Sequence, residues 1–373
     1  HMACQSGHVE CVRLLLEASA YLESLNKNGA TPLYSACQNG HETCARMMLE
    51  VGANKEAATR DGSLPMHTAC FHGHDACVRA LLEAGANKEA MNRNGWTPLH
   101  IACEKGQLEC VRALLAAGAN MEAIETGLSA TPLYVACQNG HDACARALLE
   151  AGANVNAANR DGTTPLHIAC RNGHTDCVQT LVSAGAIIEA MDCDGTTPLY
   201  IVCKEGHGAC VRLLVEAGAN KEAVNKDGST PLHVACFNGH ETCVRALVEA
   251  GAKKDVTEQI SYATPLYIAS QNGHDACVRT LLDAGANKDV VTMYGATPLF
   301  IACQNGHGPV VRSLLQAGAS PAVRAKGGAT PLTIARSCGH ASIVSMLEDA
   351  QAERLLLPLV APRLSSDPAP AQT

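Results

Sequence analysis

Aromatic side chains are scarce: only 3% of the 373 residues are Phe, Trp or Tyr, and Trp96 is the single tryptophan. With 47% hydrophobic residues the chain still has enough apolar mass for a large core. That core has to be built from Ala, Leu, Val, Ile and Cys, which suits thin, closely packed helices. Positive charge is also short. A formal net charge of -8 and a pI near 6.0 give no broad field to neutralise phosphates, which disfavours nucleic acid and anionic membrane surfaces as partners. Long apolar runs are missing too. A membrane span needs roughly 18 to 20 such residues, and the longest stretch here, Leu355 to Val360, contains Pro358, so no direct membrane insertion is expected. No signal peptide is expected, because the first residues already belong to a repeating pattern, and His1-Met2 reads as a cloning remnant, with a native start at Met2 the alternative. Gly-rich phosphate loops and nucleophile elbows are absent, which points away from an enzyme and from a bound cofactor.

Cysteine, by contrast, is plentiful. Twenty cysteines make up about 5% of the chain, below the roughly 8 to 10% of short disulfide-stapled domains. Their placement says more than their number. Most fall in pairs seven apart, among them Cys37/Cys44, Cys70/Cys77, Cys103/Cys110, Cys137/Cys144 and Cys170/Cys177.

The cysteines follow a longer rhythm. Pro32, Pro65, Pro98, Pro132, Pro165, Pro198, Pro231, Pro265, Pro298 and Pro331 are spaced by 33 residues, twice by 34, each in a near-identical phrase. A fixed period of this length means a repeat array. One unit reads TPLHIACEKGQLECVRALLAAGAN, from Thr97 to Asn120. Thr97 is a helix N-cap and Pro98 a first helical residue, because proline's missing N–H would have had no helical partner there. Leu99, Ala102 and Cys103 fall on one face, and Gly106 is placed to stop the helix in a left-handed conformation. A second helix is expected to turn Cys110, Val111, Leu114 and Leu115 inward, with Gly118 as its stop. The Asn-, Asp- and Gly-rich remainder is expected to project as a hairpin-like turn. Helices of about nine residues lie below the roughly 12 to 15 that are marginal alone in water, so stacking is obligatory. At about 8 to 10 Å per layer, eleven units predict a curved superhelical rod roughly 100 Å long, all-α in class.

The phrase Thr-Pro-Leu-His, intact at Thr97 to His100, Thr164 to His167 and Thr230 to His233, resembles the hallmark of the ankyrin-repeat family over residues 3 to about 349. Elsewhere the histidine becomes Tyr34, Tyr134, Tyr200, Tyr267, Phe300 or Thr333, and Leu64-Pro65-Met66-His67 varies the phrase. The resemblance implies an ankyrin-repeat solenoid of helix-turn-helix units with β-hairpin-like loops. It also implies that His67, His100, His167 and His233 tie loop backbone together.

The expected organisation is a truncated first repeat over 1–29 and ten further repeats over 30–349, starting near 30, 63, 96, 130, 163, 196, 229, 263, 296 and 329. A C-terminal helix extension with an apolar segment follows over 350–363, then a disordered tail over 364–373. Because the chain opens inside a helix at Ala3-Cys4, more repeats or another domain are expected upstream. Arg336 takes the position of Cys303, as in a capping repeat that turns a polar face to water. The last helix is expected to run on until Pro358 breaks it. Leu355 to Val360 are then expected to cover the last repeat, or else to act as a short docking motif. Two turns carry one extra residue: Glu125 to Ala130, with its glycine displaced to Gly127, and Thr257 to Ala263, with none.

Cys-x3-His-x2-Cys, as in Cys37/His41/Cys44, has zinc-ligand spacing. The same positions are core slots of the repeat, however, and Ser270, Val310 and Gln107 replace single members in otherwise intact units. The reading is structural, with no metal. Disulfides between equivalent cysteines of adjacent units are not expected, since a layer spacing of about 10 Å exceeds the Cα separation of roughly 4.4 to 6.8 Å that a bridge needs. This implies a reducing compartment, cytoplasmic or nuclear. Cys193, at the tip of Asp192-Cys193-Asp194-Gly195, is the candidate reactive thiol. The Gly-His histidines repeat too regularly to be catalytic.

A uniform array cannot choose a partner, so recognition is expected where units differ. The resemblance implies that turn tips and the outer face of the first helices line a groove for protein partners. One cluster there is Arg60, Phe71, His72, Arg93, Trp96, Glu104 and Lys105; Trp and Arg are frequent interface anchors. A second is Phe237, Ile260, Tyr262, Met293 and Tyr294. Asn156 resembles asparagines that the family presents for hydroxylation. The expected function is a non-catalytic scaffold or adaptor that binds a protein partner, with a monomeric state compatible. The alternatives are a metal- or redox-responsive protein using the Cys/His ladder, or the repeat region of a larger channel, kinase or ubiquitin-ligase receptor.

Overall fold

The computed structural model describes the backbone of residues 1–360 and the side chains of residues 1–352, so the expected disordered tail lies outside the described residues. Among them the chain forms 22 helices and no strand. It divides into two bodies, His1–Lys226 and Asp227–Thr373. In the first, helix pairs run from Met2–Gln5 with Val9–Glu17 to Pro198–Glu205 with Gly208–Glu216. In the second they run from Pro231–Asn238 with Glu241–Glu249 to Pro331–Ser337 with Ala341–Val360.

The boundaries follow the local chemistry. Thr97 is extended, its hydroxyl accepts the His100 N–H at 3.4 Å, and the helix runs Pro98–Glu104. Gly106 turns the chain at φ +68°, Leu108–Ala116 follows, and Gly118 at φ +73° ends it. Leu99, Ala102, Cys103, Cys110, Val111 and Leu114 are at most 1% exposed. Leu115 is only half-buried; it lies about 100° round the helix from Leu114, at the edge of the apolar face. The projecting turns form no strand among the described residues; a backbone bond closes the base, as from the Asn92 N–H to Trp96 O at 3.0 Å, and in several a side chain caps it as well. In the finger before Thr97, the Asn92 carboxamide accepts the N–H groups of Asn94 at 2.9 Å and Trp96 at 3.1 Å.

In the first body, neighbouring repeats are joined by three ladders of polar contacts. Gly-His histidines reach back one repeat: the Nε2 of His41, His74, His141 and His174 meets the carbonyls of Gln5, Gln38, Glu104 and Gln138 at 3.0 to 3.2 Å. The family histidines reach forward, with His100 Nε2 donating to Ala130 O at 3.1 Å. At the base of the fingers Glu23, Glu56, Glu89 and Glu122 accept the N–H of Asn54, Asn87, Asn120 and Asn154 at 2.7 to 2.9 Å. Repetition of the Gly-His histidines therefore has a structural cause.

The two longer fingers are held differently from the others. Their left-handed positions are taken by Ser129 at φ +59° and Tyr262 at φ +57°, and Gly127 is not left-handed. Glu125 folds into its finger and accepts the N–H groups of Gly127, Leu128 and Ala130, the last at 3.2 Å. Burial pushes its carboxyl upward, but those backbone donors outweigh it and hold the group below its ordinary range. A side chain one bond longer than Asn92 spans the extra residue.

The last helix continues through Pro358 to Val360 instead of breaking at the proline. Proline's fixed φ is itself helical, and only one backbone bond is forfeited so near the end. The question of what Leu355 to Val360 cover concerns side chains outside the described ones. Arg336 is exposed, with its guanidinium on Glu348 at 2.5 Å.

Every cysteine is a free thiol. Cys11, Cys193 and Cys338 are exposed, Cys193 at a fingertip and the other two in the first and last repeats of the described residues. Burial pushes Cys103, Cys170 and Cys236 well above the ordinary thiol range and Cys303 up to about 12. Ser270 stands in one of these slots, fully buried, and among the described residues its hydroxyl has no hydrogen-bond partner. An orphaned buried hydroxyl costs about 1 to 3 kcal/mol, whereas a thiol tolerates an apolar slot. Ser270→Cys is therefore expected to raise the urea midpoint by an amount equivalent to about 1 to 2 kcal/mol, and Cys303→Ser to lower it similarly. Unchanged midpoints in both variants would refute this account.

Candidate functional site

The 33-residue period places equivalent side chains side by side. Gln38, Phe71 and Glu104 occupy the same position on three successive first helices; Asp61 pairs with Asn94, and Ser63 with Trp96, on successive fingers. Together with Tyr34 these residues line an open cavity of about 430 Å³ in the first body. That volume lies in the range of ligand and side-chain pockets.

Each wall is fixed by its element. Trp96 is half-buried, its N–H held by Asn92 and its carbonyl accepting from His67 Nε2 at 3.1 Å, and its ring lies 6.0 Å from that of His100. Phe71 is 46% exposed; the His72 ring meets its edge at 5.0 Å, and the Lys105 ammonium stands 4.6 Å from its centroid. Lys105 also lies 3.4 Å from the Glu104 carboxylate. Asp61 accepts a hydrogen bond from the Thr59 hydroxyl, which holds its carboxyl below the usual range against the opposing effect of burial, with Arg93 a smaller influence.

Four members of the first sequence cluster, Phe71, His72, Trp96 and Glu104, line this cavity. Lys105 covers one wall. Arg60 and Arg93 stand outside it as exposed fingertip residues, the Arg93 stem against Gly62 and the Arg60 N–H donating to Asn28 O at 3.4 Å. Sequence reading missed Tyr34, Gln38 and Asp61; stepping back one period from His67, Phe71 and Asn94 finds all three.

The second cluster lies in the other body. Phe237, Ile260, Tyr262, Met293 and Tyr294 are each 39% exposed or more. The Met293 N–H donates to Ser261 O at 3.1 Å, which ties the irregular finger to the next. Cys193 is exposed at its fingertip, its N–H donating to Asp161 O at 2.9 Å and its carbonyl accepting from Lys226. Asn156 stands in the place of the ladder glutamates and does the same work, accepting the Ile187 N–H at 2.8 Å.

The Cys-x3-His-x2-Cys spacing does not converge into a site. Cys37 and Cys44 point into the core, while His41 Nε2 is engaged by Gln5 O. Among the described residues no three His, Cys, Asp or Glu side chains come together as metal ligands, and no helix is long and apolar enough to cross a membrane.

The structure is similar to the human ASB11 ankyrin repeat domain at 34% identity and a TM-score of 0.55, covering 61% of this chain and 100% of that one. It is also similar to the ankyrin repeat domain of Bcl-3, described as a unique member of the IkappaB protein family, at 31% identity and a TM-score of 0.52, covering 56% of this chain and 95% of that one. No curated protein matches. The profile described as ankyrin repeats in three copies matches residues 1–59, 52–125, 118–192, 185–259 and 266–354. With nearly the whole sequence accounted for by that profile, the chain belongs to the ankyrin-repeat family.

Proposed function

We propose that this chain is a non-catalytic scaffold or adaptor that holds a protein partner on the face made by its first helices and fingers. Ankyrin-repeat domains are in general protein-interaction modules, and this chain is one. The observation that carries the finer reading is the three-repeat cavity, whose walls hold the only tryptophan of the chain and a half-exposed phenylalanine. Aromatic anchors set in pockets are the usual hot spots of protein interfaces. The core thiols, free and shielded, support a reducing compartment, cytoplasm or nucleus.

Trp96→Ala is expected to abolish retention of the proteins that the wild-type chain captures from lysate, with an unchanged helical circular dichroism spectrum. Truncating a central aromatic anchor costs about 2 to 4 kcal/mol, a loss of about thirtyfold or more in affinity. The same proteins retained by both forms, identified by mass spectrometry, would move the interface away from this groove.

A further inference from the structure

Among the residues that line the cavity, the formally charged ones are Asp61 and Glu104, both carboxylates. The other lining residues are uncharged side chains, among them the aromatic rings of Tyr34, Phe71 and Trp96. A ring face carries negative charge density and attracts a cation, and more strongly where water is partly excluded. The molecule already uses one ring in this way, since Lys105 places its ammonium over Phe71 at 4.6 Å while staying within 3.4 Å of Glu104. The fingertip cations do not cancel the two carboxylates equally. Arg93 lies near enough to influence Asp61, whereas the ion pair of Glu104 is with its sequence neighbour Lys105.

We infer that the cavity receives an arginine side chain of the partner, its guanidinium set between the aromatic walls and Glu104, with Lys105 as a resident cation that must swing aside. Arginine fits better than lysine because its flat guanidinium stacks on rings and bonds carboxylates through paired N–H groups. This deepens the groove reading and rests on it: Trp96 is an anchor because a cation stacks there.

The test uses the full chain and Trp96 emission, which reports this cavity alone. The probe is the peptide Ala-Ala-Arg-Ala-Ala, acetylated and amidated, against the same peptide with citrulline, which keeps the shape and loses the charge. A saturable emission change with the arginine peptide, absent with citrulline, is expected. Lys105→Ala is expected to tighten binding by about fivefold, and Glu104→Gln and Asp61→Asn to loosen it by about as much. A merely structural role for Lys105 would leave affinity unchanged or lowered, and that result overturns the inference. Equal binding of the citrulline peptide, or no saturable change with arginine up to millimolar concentration, overturns it as well. The groove reading fails separately, through retention of lysate partners by Trp96→Ala. If capture depends on Trp96 but citrulline binds as well as arginine, the groove stands and the cation assignment is wrong.

Discussion

Gly173→Ala is expected to destabilise the first body by about 3 kcal/mol, and Gly185→Ala in the same repeat by only about 1 to 2 kcal/mol. Both glycines are left-handed, at φ +72° and +83°. A β-carbon there costs roughly 1 to 2 kcal/mol for backbone reasons alone. The positions differ in what surrounds them. A methyl group on Gly173 would stand 2.5 Å from Nδ1 of His207, whereas one on Gly185 meets nothing within 4 Å. The His207 ring cannot retreat freely, because its Nε2 is held by Arg171 O at 3.1 Å. Displacing it forfeits that contact, worth about 1 kcal/mol, and adds strain. Urea unfolding of the two variants checks the difference. Equal losses would mean that the ring yields without cost and that the histidine ladder contributes little to joining repeats.

That prediction rests on a relation between Gly173 and a histidine 34 positions further on, and the sequence disclosed only half of it. The glycine stops, the threonine caps and the proline starts were legible because each acts on its own immediate neighbours: Thr97 needs only the His100 N–H to cap its helix. The period itself was legible because short helices cannot stand alone. What a ladder residue touches one repeat away is a matter of stacking geometry. The bonds of the Gly-His histidines to upstream carbonyls were therefore not foreseen, nor was the row of glutamates that Asn156 joins. Departures from the period were the least legible. Ser129 and Tyr262 adopt glycine's conformation because the rest of the finger is fixed at both ends, and the buried carboxylate of Glu125 replaces a shorter amide because the loop is longer.

The candidate site divides in the same way. Phe71, Trp96 and Glu104 stood out because they break the uniformity of the array. Asp61 and Tyr34 did not: an Asp before glycine also stands at Asp161, Asp194 and Asp227, and a tyrosine at the same place in several other units. They acquire meaning only beside Trp96 and Phe71. Specificity in a repeat protein thus arises from ordinary residues brought next to unusual ones, and only the combination is distinctive. Arg60 and Arg93 show the converse, since both are conspicuous in the sequence yet stand outside the cavity.

Acid is expected to loosen the first body well before its carboxylates titrate. His67, His100 and His167 are fully buried, and in each the Nδ1 accepts the N-cap N–H at 3.1 to 3.3 Å while Nε2 donates to a carbonyl of the next finger. Only the neutral ring with its proton on Nε2 satisfies both bonds; a second proton on Nδ1 would face an N–H. Burial accordingly lowers the pKa of all three below the ordinary value, against the raising effect of the carbonyl bonds. A lowered folded pKa means that this stability is complete above the unfolded value of about 6.5 and is lost as pH falls below it, until the folded pKa is reached. In that window each histidine contributes a slope of at most about 1.4 kcal/mol per pH unit, so the three together contribute up to about 4. The carboxyls of Asp61, Asp192 and Glu125 are also held low, and the stability they contribute is lost only below about pH 5. Thermal midpoints are thus expected to be flat from pH 8 to 7 and to fall steeply from pH 6.5 to 5. Tyrosine occupies the equivalent position in Tyr134 and Tyr200, and a phenol side chain has no basic nitrogen to take up a proton in this range. Replacing all three (His67→Tyr, His100→Tyr and His167→Tyr) is therefore expected to flatten the acid limb even where it lowers the midpoint at pH 7.5. An unaltered limb in that variant would assign the acid sensitivity to other groups and remove the buried histidines as its cause.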